Sequence, residues 1–272
     1  MFSLETTSTT TADNIITDRM NLHHYLLREM HGYLVHPSIP TDNPNLRVAD
    51  VGTGTGIWLT DLARQLPSTV SLDGLDISSE AAPPKEWLPK NMTLRRFDLM
   101  SEVPEDLTGV YDIVHIRLFA FVLKNDHMKT AMDNLLKLLK PGNYIQWSEP
   151  DILSWRVRTT TPDKKTEALT NLMTISQPRD ERLKPTWIAR LTDDFREHGL
   201  SSIDADFKDP SLEIIMPLHE CNLLIHEFLA RKAQSTEWAE WIKKILPEVL
   251  RETREGAAWD FTRVVVVGQK PL

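Results

Sequence analysis

The sequence predicts an α/β fold built on a doubly wound sheet, in which mostly parallel strands carry helices on both faces. Short apolar runs alternate with amphipathic helical segments through the first half of the 272-residue chain, the pattern of successive β–α–β units. The stretch 50–56, DVGTGTG, joins one such strand to one such helix through three alternating glycines. Because glycine permits a tight turn and lets a ligand approach bare backbone, this turn is the predicted binding loop.

The segments on either side of the glycine loop complete a nucleotide-binding unit. Residues 46–49 form an apolar run typical of a buried parallel strand, and apolar residues recur at helical spacing from Leu59 to Leu66. A helix that starts after the loop offers free N–H groups to a polar or anionic ligand. The next strand, 70–76, ends in Asp76, whose carboxylate can accept hydrogen bonds from both ribose hydroxyls. A glycine-rich turn without a ligand is the alternative, which this combination of elements disfavours.

The N-terminal region is predicted to be a tail followed by a helix. Residues 1–14 are rich in Thr and Ser and are expected to be disordered, whereas 15–35 place apolar residues near one helical face. His23, His24 and Tyr25 lie inside this helix. They are packing or surface residues, or they contact a ligand if the helix covers the mouth of the binding site.

The segment after strand two is interrupted by prolines. Three prolines within 78–91 leave room only for a short helix before strand three, 92–97. The acid–apolar pair Asp98 and Leu99 follows that strand directly. Asp98 is either part of the binding site or a solvent-exposed loop acid.

Strands four and five supply further candidate site residues. Strand four, 111–117, places His115 and Arg117 on one side by its period-two alternation. Strand five, 143–149, follows an apolar helix and a Lys-Pro-Gly turn, and it ends in Glu149. Ligands in open α/β sheets bind outside the carboxyl ends of the strands, so these three side chains are expected near the reacting atoms.

The second half of the chain continues to a last strand through a long helical region. The predicted elements are, in order, an irregular polar segment, a helix, a strand, a helical insertion and a final strand, over 152–185, 187–198, 202–207, 210–261 and 263–269. His219 and His226 are seven residues apart, which is not the spacing that puts two metal ligands on adjacent helical turns. No metal site is therefore predicted, and the tryptophans of this region are expected in the core rather than in a substrate cage.

The amino-acid composition argues against a nucleic-acid-binding or membrane-spanning protein. The formal charge is −8 and no basic run exceeds a pair, so a nucleic-acid partner is not expected. No run of eighteen apolar residues is present, so no membrane span is expected. Cys221 is the only cysteine and the N-terminus lacks a signal-peptide pattern, which favours a reducing, cytoplasmic location. The sequence leaves monomer and homodimer open.

The glycine loop resembles a known motif. Its G-x-G-x-G spacing, preceded by Asp50, resembles motif I of class I S-adenosylmethionine (SAM)-dependent methyltransferases, and DIS at 76–78, YDIV in strand four and LKPG before strand five are similar to that superfamily. The resemblance implies a Rossmann-like seven-stranded sheet of order 3-2-1-4-5-7-6, with SAM as cofactor, S-adenosylhomocysteine as product and no metal. The cofactor residues it implies are Tyr25, Asp50, Gly52, Thr53, Gly54, Gly56, Asp76, Ile77, Asp98, Leu99, Ile116 and Arg117. Asp50 would meet the cationic amino acid end, Asp76 the ribose, and Asp98 with Leu99 the adenine.

A narrower resemblance covers nearly the whole chain after its first fifteen residues. The stretches 19–40, 47–58 and 147–151, together with the late helical insertion, are similar to fungal secondary-metabolism methyltransferase-like proteins. This implies methyl transfer to an O, N or S atom of a small natural-product-like substrate by in-line displacement. The same group implies two alternatives, a pericyclase or cyclase that transfers no methyl group and a SAM-binding regulator of secondary metabolism.

The expected chemistry needs orientation more than acid–base catalysis. A hydroxyl acceptor would need a general base, for which His115, Glu149, His23 and His24 are the candidates. Arg117 cannot act as a base and would orient a carboxylate or carbonyl group. A carboxylic acid, or an amine that arrives neutral, would need no base.

We expect a single domain over 15–272, with two separate pieces closing its pocket. The helix within 15–40 and the insertion 210–261 are long, apolar on one face and outside the sheet pattern. Both are therefore predicted to cover the binding site.

Overall fold

The computed structural model describes residues 9–176, 184–232 and 236–272. Its strands are β1 Arg47–Val51, β2 Ser71–Asp76, β3 Met92–Arg96, β4 Tyr111–Arg117, β5 Leu139–Pro150, β6 Arg156–Thr159, β7 Ser201–Lys208, β8 Ala257–Asp260 and β9 Arg263–Gln269. Its helices are α1 Thr9–His31, α2 Ile57–Leu62, α3 Met128–Leu138, α4 Glu167–Ser176, α5 Leu191–Glu197, α6 Leu212–Lys232 and α7 Thr236–Arg254. In the described part of the chain, no helix has the length and apolar character needed to cross a membrane.

Seven of these strands form one twisted sheet of order β3-β2-β1-β4-β5-β9-β7. The first five are parallel, and β9 runs antiparallel to both of its neighbours. This confirms the predicted order, with β7 and β9 as its sixth and seventh strands. The strand order reverses beside β1, between β1 and β4, so the carboxyl ends of these strands border the crevice where ligands of such sheets bind.

The register of the parallel strands aligns the candidate residues. Asp50 pairs with His115 across β1 and β4, and Val51 pairs with Ile116. Asp76 ends β2 opposite Arg96 of β3. The glycine loop and the ends of β2 and β4 therefore meet at one edge of the sheet.

The last strand is buried on both faces, as its four consecutive valines predict. Residues 264–267 are all at most 2% exposed, and they lie between two apolar clusters on opposite faces of the sheet. Such burial requires a helical layer on each side of the sheet, which is what apolar runs without alternation indicate.

Helix α1 begins at Thr9, earlier than the expected start at residue 15. The first eight residues of the expected tail lie outside the described residues. Leu27 is buried on its inner face, whereas Leu22, expected there, is about half exposed at 49%.

The predicted helical insertion contains two helices and a short strand. It consists of α6 and α7, with Pro217 and Pro247 inside them, and ends in β8. Strand β8 pairs with β6 in a separate two-stranded antiparallel sheet that the sequence did not predict.

Helix α4 occupies part of the region expected to be irregular. Glu252 of α7 caps its first turn. The N–H groups of Ala168 and Leu169 donate to the two carboxylate oxygens of Glu252 at 2.9 Å each. A negative group at that place satisfies unpaired N–H groups and favours the helix dipole.

Candidate active site

The three glycines of the binding loop all have backbone angles that favour glycine. Gly52, Gly54 and Gly56 have φ of 70°, 55° and 71°. Space is restricted as well, because a methyl group added to Gly52 would overlap the Phe119 ring and one added to Gly54 would overlap the Met20 side chain. The loop therefore turns tightly beneath side chains from α1 and from the segment after β4, and Gly56 is the N-cap of α2.

Asp76 is tied to this loop. Its Oδ2 accepts from the Gly54 N–H at 2.8 Å, and its Oδ1 accepts from the Ser78 N–H at 3.2 Å. Each carboxylate oxygen can accept a further hydrogen bond. Asp76 is thus held by backbone while keeping the capacity to bind two hydroxyl groups.

A cavity of about 360 Å³ lies at the carboxyl ends of β1, β2 and β4. It brings together eight of the predicted residues, Gly52, Thr53, Gly54, Asp76, Ile77, Asp98, Leu99 and Arg117. Its mouth is bordered by the exposed apolar side chains of Ile77, Met100 and Val122.

Several lining residues were not predicted. Helix α1 contributes Arg19 and Met20, and the segment after β4 contributes Leu118, Phe119 and Val122. Asn21, the next residue of α1, accepts a hydrogen bond from the Thr55 hydroxyl at 2.8 Å. The resemblance placed the leading helix over the site but indicated Tyr25 and the histidines, not the preceding turn.

Asp50 and His115 lie behind the cavity rather than in it. Asp50 Oδ1 and His115 Nδ1 are 2.7 Å apart, and both residues are at most 3% exposed. The His115 ring stacks on Trp58 with centroids 3.8 Å apart. Burial lowers the pKa of His115, against the opposing effect of Asp50. The two side chains therefore face each other, with Trp58 against the His115 ring. The roles of Asp50 at the cofactor's cationic end and of His115 at the reacting atoms stay predictions.

The Glu149 carboxylate accepts hydrogen bonds from three N–H donors. It accepts from the backbone of Phe119 at 2.7 Å and of Ala120 at 2.9 Å, and from the Trp147 indole at 2.7 Å. Burial raises its pKa to about 7, while these three donors act in the opposite direction. It anchors a segment in which Leu118 has a φ of 62°, a strained angle for a branched side chain. Glu149 thus holds the segment that forms the cavity wall, and its role as a base stays a prediction.

Arg117 is connected to α2 through His24. Its Nη1 lies 3.1 Å from His24 Nδ1, and His24 Nε2 lies 3.1 Å from Asp61 Oδ2, which also accepts from Arg28 at 2.8 Å. Burial, then Arg117, lowers the pKa of His24 to about 4 despite Asp61. A neutral ring with its proton on Nε2 satisfies both neighbours, since Nδ1 then accepts from Arg117.

The other predicted residues lie outside the cavity lining. Tyr25 is 41% exposed and packs against His24 and Arg28. Ile116 is in the core, and Gly56 is the helix cap. His23 is buried, and its Nε2 has no hydrogen-bond partner in the described part of the chain. Burial, followed by Arg263, Arg19 and Arg117, lowers the pKa of His23 well below its ordinary value.

In its described part, the insertion packs against α1 through α6. None of the described residues of α6 or α7 lines it. His219, considered for metal binding, bonds to the Thr253 hydroxyl at 2.9 Å and accepts from the Trp259 N–H at 3.1 Å. Within the described ranges no three His, Cys, Asp or Glu residues form a group that could hold a metal ion.

Comparison with known proteins places this geometry in a family. The family described as a methyltransferase domain matches residues 22–204. The chain belongs to this methyltransferase family. Methyltransferase grgD of Penicillium sp is 40% identical over 145 residues, covering 51% of this chain and 50% of that protein. N-methyltransferase tcpN of Claviceps purpurea is 37% identical over 139 residues, covering 50% of each. The chain spans about half the length of the curated relatives it matches.

A solved structure shows the same fold for this methyltransferase-family chain. The cyclopropane-fatty-acyl-phospholipid synthase-like protein from Lactobacillus casei superposes with a TM-score of 0.57 at 13% identity, covering 94% of this chain and 92% of that one. The Rossmann-like seven-stranded architecture expected from the sequence is thereby confirmed.

The residues of the cavity fit the cofactor of such methyltransferases. The cavity lining holds carboxylate acceptors at Asp76 and Asp98 and a guanidinium donor at Arg117. SAM has hydroxyls and an exocyclic amine at its adenosine end and a carboxylate at its amino acid end. One cavity therefore offers acceptors for the hydroxyl and amine groups of SAM and a donor for its carboxylate.

Proposed function

We propose that this chain binds SAM and transfers its methyl group to a nitrogen, oxygen or sulfur atom of a small natural-product-like substrate, with nitrogen favoured. One observation carries the proposal: the glycine loop, Asp76, Asp98 and Arg117 line a single cavity at the switch point of the sheet. We treat 15–272 as one domain in which α1 is the lid and the insertion supports it.

Each lining residue has a proposed role. Asp76 accepts the ribose hydroxyls, and Asp98 with the Leu99 N–H holds the adenine. The glycine backbone lies against the ribose and methionine, while Arg117 binds the methionine carboxylate through its planar fork of donors. When bound, SAM supplies an electrophilic methyl group on a sulfonium that is also a good leaving group.

The chain's own contribution is orientation and exclusion of water. Holding two reactants in line supplies about 7–11 kcal/mol of the barrier in favourable cases. No histidine, cysteine, lysine or tyrosine appears among the described lining residues, whose only carboxylates are Asp76 and Asp98. An amine that arrives neutral needs no base, which favours nitrogen, and tcpN is named an N-methyltransferase.

Calorimetry with SAM and S-adenosylhomocysteine tests cofactor binding directly, and we expect micromolar dissociation constants for both. Incubation with methyl-labelled SAM and small amines then tests transfer. Binding without any transfer to an extract of candidate substrates would favour the cyclase or regulator alternatives. Failure to bind either compound while folded would contradict the proposal.

Replacing Asp76 by Ala is expected to weaken SAM binding about 10- to 100-fold, the scale of lost hydrogen bonds to a charged group. Calorimetry on the folded variant measures this. Glu80→Ala is the matched control, since Glu80 is an exposed acid in the loop after β2. An unchanged dissociation constant for Asp76→Ala would assign the ribose to another residue.

Replacing His24 by Leu is expected to weaken SAM binding about 10-fold, because Arg117 loses the acceptor that orients it. His24→Asn keeps an acceptor near the position of Nδ1 and should lose no more than about threefold. The melting temperature of each variant separates a loss of fold from a loss of orientation. Equal affinity in the Leu and Asn variants would show that Arg117 needs no such support.

A further inference from the structure

Arg19 is a cavity-lining cation without a carboxylate partner. It and Arg117 both line the cavity, from α1 and from the end of β4. Burial lowers the pKa of both guanidinium groups, and no acidic residue of the described part of the chain acts to raise the pKa of Arg19. In the described part of the chain, neither arginine forms an ion pair with an acid.

Three buried acids of the described chain, Asp50, Asp61 and Asp260, already have basic partners. Asp50 lies 2.7 Å from His115, and Asp61 serves His24 and Arg28. Asp260 accepts from Arg156 at 2.6 Å and from Arg158 at 3.0 Å. None of these carboxylates is free to neutralise Arg19.

A second unpartnered group lies one helical turn beyond Arg19. His23 is 3% exposed, and its Nε2 has no hydrogen-bond partner among the described residues. Burial, then Arg263, Arg19 and Arg117, lowers the pKa of its ring. The described part of the chain therefore leaves Arg19 without an acidic partner and the nearby His23 Nε2 without a hydrogen-bond partner.

Bound SAM supplies no net negative charge to balance the guanidinium groups of Arg19 and Arg117. SAM carries one carboxylate, one ammonium and one sulfonium, so its binding adds a net positive charge. Its carboxylate satisfies one guanidinium, which the proposed function assigns to Arg117. Arg19 would then remain half-buried near a sulfonium without a counter-ion, which is unfavourable in a desolvated site.

We propose that Arg19 binds a carboxylate of the methyl acceptor, so that the substrate is a small molecule carrying both the accepting atom and an acid. This rests on the proposed function and names its substrate class. The planar fork of Arg19 suits a carboxylate, and placing it on α1 lets the lid engage the substrate directly. With an amine acceptor, the substrate would resemble an amino acid or a derivative that keeps its acid.

A pair of probes that differ only in charge tests this. Phenylacetate and phenylacetamide are titrated into the full chain with and without saturating S-adenosylhomocysteine, with binding followed by calorimetry and by melting temperature. We expect phenylacetate to bind at least about 10-fold more tightly than the amide. Arg19→Gln should abolish this preference, and Arg19→Lys should restore part of it. The exposed Arg196→Gln on α5 is the matched control and should behave as the unaltered chain.

The outcomes separate this inference from the proposed function. Equal binding of the two probes, or a preference that survives in folded Arg19→Gln, overturns it. An affinity of Arg19→Gln for S-adenosylhomocysteine within about threefold of the unaltered chain supports it, whereas a loss of 10-fold or more assigns Arg19 to the cofactor instead. If the unaltered chain binds no S-adenosylhomocysteine, the cofactor proposal fails, while an Arg19-dependent preference for phenylacetate alone still supports the anion site.

Discussion

Acidification from pH 7 to pH 5 is expected to lower the free energy of unfolding by about 5 kcal/mol. Burial is the first cause that lowers the pKa of four histidines, His24, His31, His219 and His226, to about 4 each. All four are at most 7% exposed. A loss of that size is comparable to the whole stability of many domains.

The sign follows from where the protons bind. Between about pH 4 and 6.5 the unfolded chain binds more protons than the folded one at these histidines, so stability is complete above this window and falls as pH decreases through it. Each histidine contributes about 2 kcal/mol of the loss at pH 5. Glu149 acts oppositely, since its pKa is raised to about 7 and its protonation favours the folded state below that pH. Protonation of Glu149 therefore offsets about 2 kcal/mol of the loss in the free energy of unfolding.

Urea unfolding at pH 7, 6 and 5, followed by circular dichroism, measures this loss. His226→Leu should remove about 2 kcal/mol of it, because a buried apolar side chain of similar size has no charged form. The control is His127→Asn, at a side chain that is 36% exposed. Unfolding free energies that stay level from pH 7 to pH 5 would contradict the assignment of these histidines as buried neutral groups.

Replacing Glu149 by Ala is expected to lower the free energy of unfolding by about 3–5 kcal/mol. The change leaves three buried donors, the N–H groups of Phe119 and Ala120 and the Trp147 indole, without their acceptor. The strained turn at Leu118 then keeps its backbone hydrogen bond to Ser148 O, at 3.0 Å, but loses the carboxylate that binds the next two N–H groups. Glu149→Gln should cost somewhat less, because its oxygen keeps part of the interaction while its amide group meets donors.

Denaturant unfolding at pH 7 measures the stability, and calorimetry with S-adenosylhomocysteine measures the site. Affinity should fall along with stability, because Phe119 forms the cavity wall against Gly52. Glu102→Ala is the control, an exposed acid in a loop. A change below about 1 kcal/mol in Glu149→Ala would show that water or another group can replace the carboxylate.

The local pattern of apolar and turn residues was sufficient to predict the strands at the centre of the fold. Strands β4 and β9 have the predicted bounds, since each is an apolar run with turn residues on either side. Helix α4 and the β6–β8 pair were missed for a physical reason. The cap of α4 comes from Glu252, 84 residues away, and β6 pairs with a strand that follows α7. Such contacts leave no periodic signal in the local sequence.

The site residues divide in the same way, into those that local sequence pattern predicts and those that tertiary packing brings together. Residues of the glycine loop and the strand-end acids were predicted because their motif is contiguous. Alternation along β4 correctly separated polar from apolar positions, but it could not show that Trp58 and Asp50 occupy the space beside His115. Arg19 and Met20 were missed because their place depends on how α1 crosses the loop, which is set by tertiary packing.

The attachment of α1 has a consequence for the lifetime of any bound molecule. The helix touches the loop through Met20, bonds Thr55 through Asn21, and reaches Asp61 through His24 and Arg28. A molecule in the cavity that contacts α1 stabilises its closed position, and the closed helix slows escape in turn, because the two equilibria are linked. Loosening of this helix therefore removes contacts that retain the molecule, so residence time and affinity need not follow the same residues.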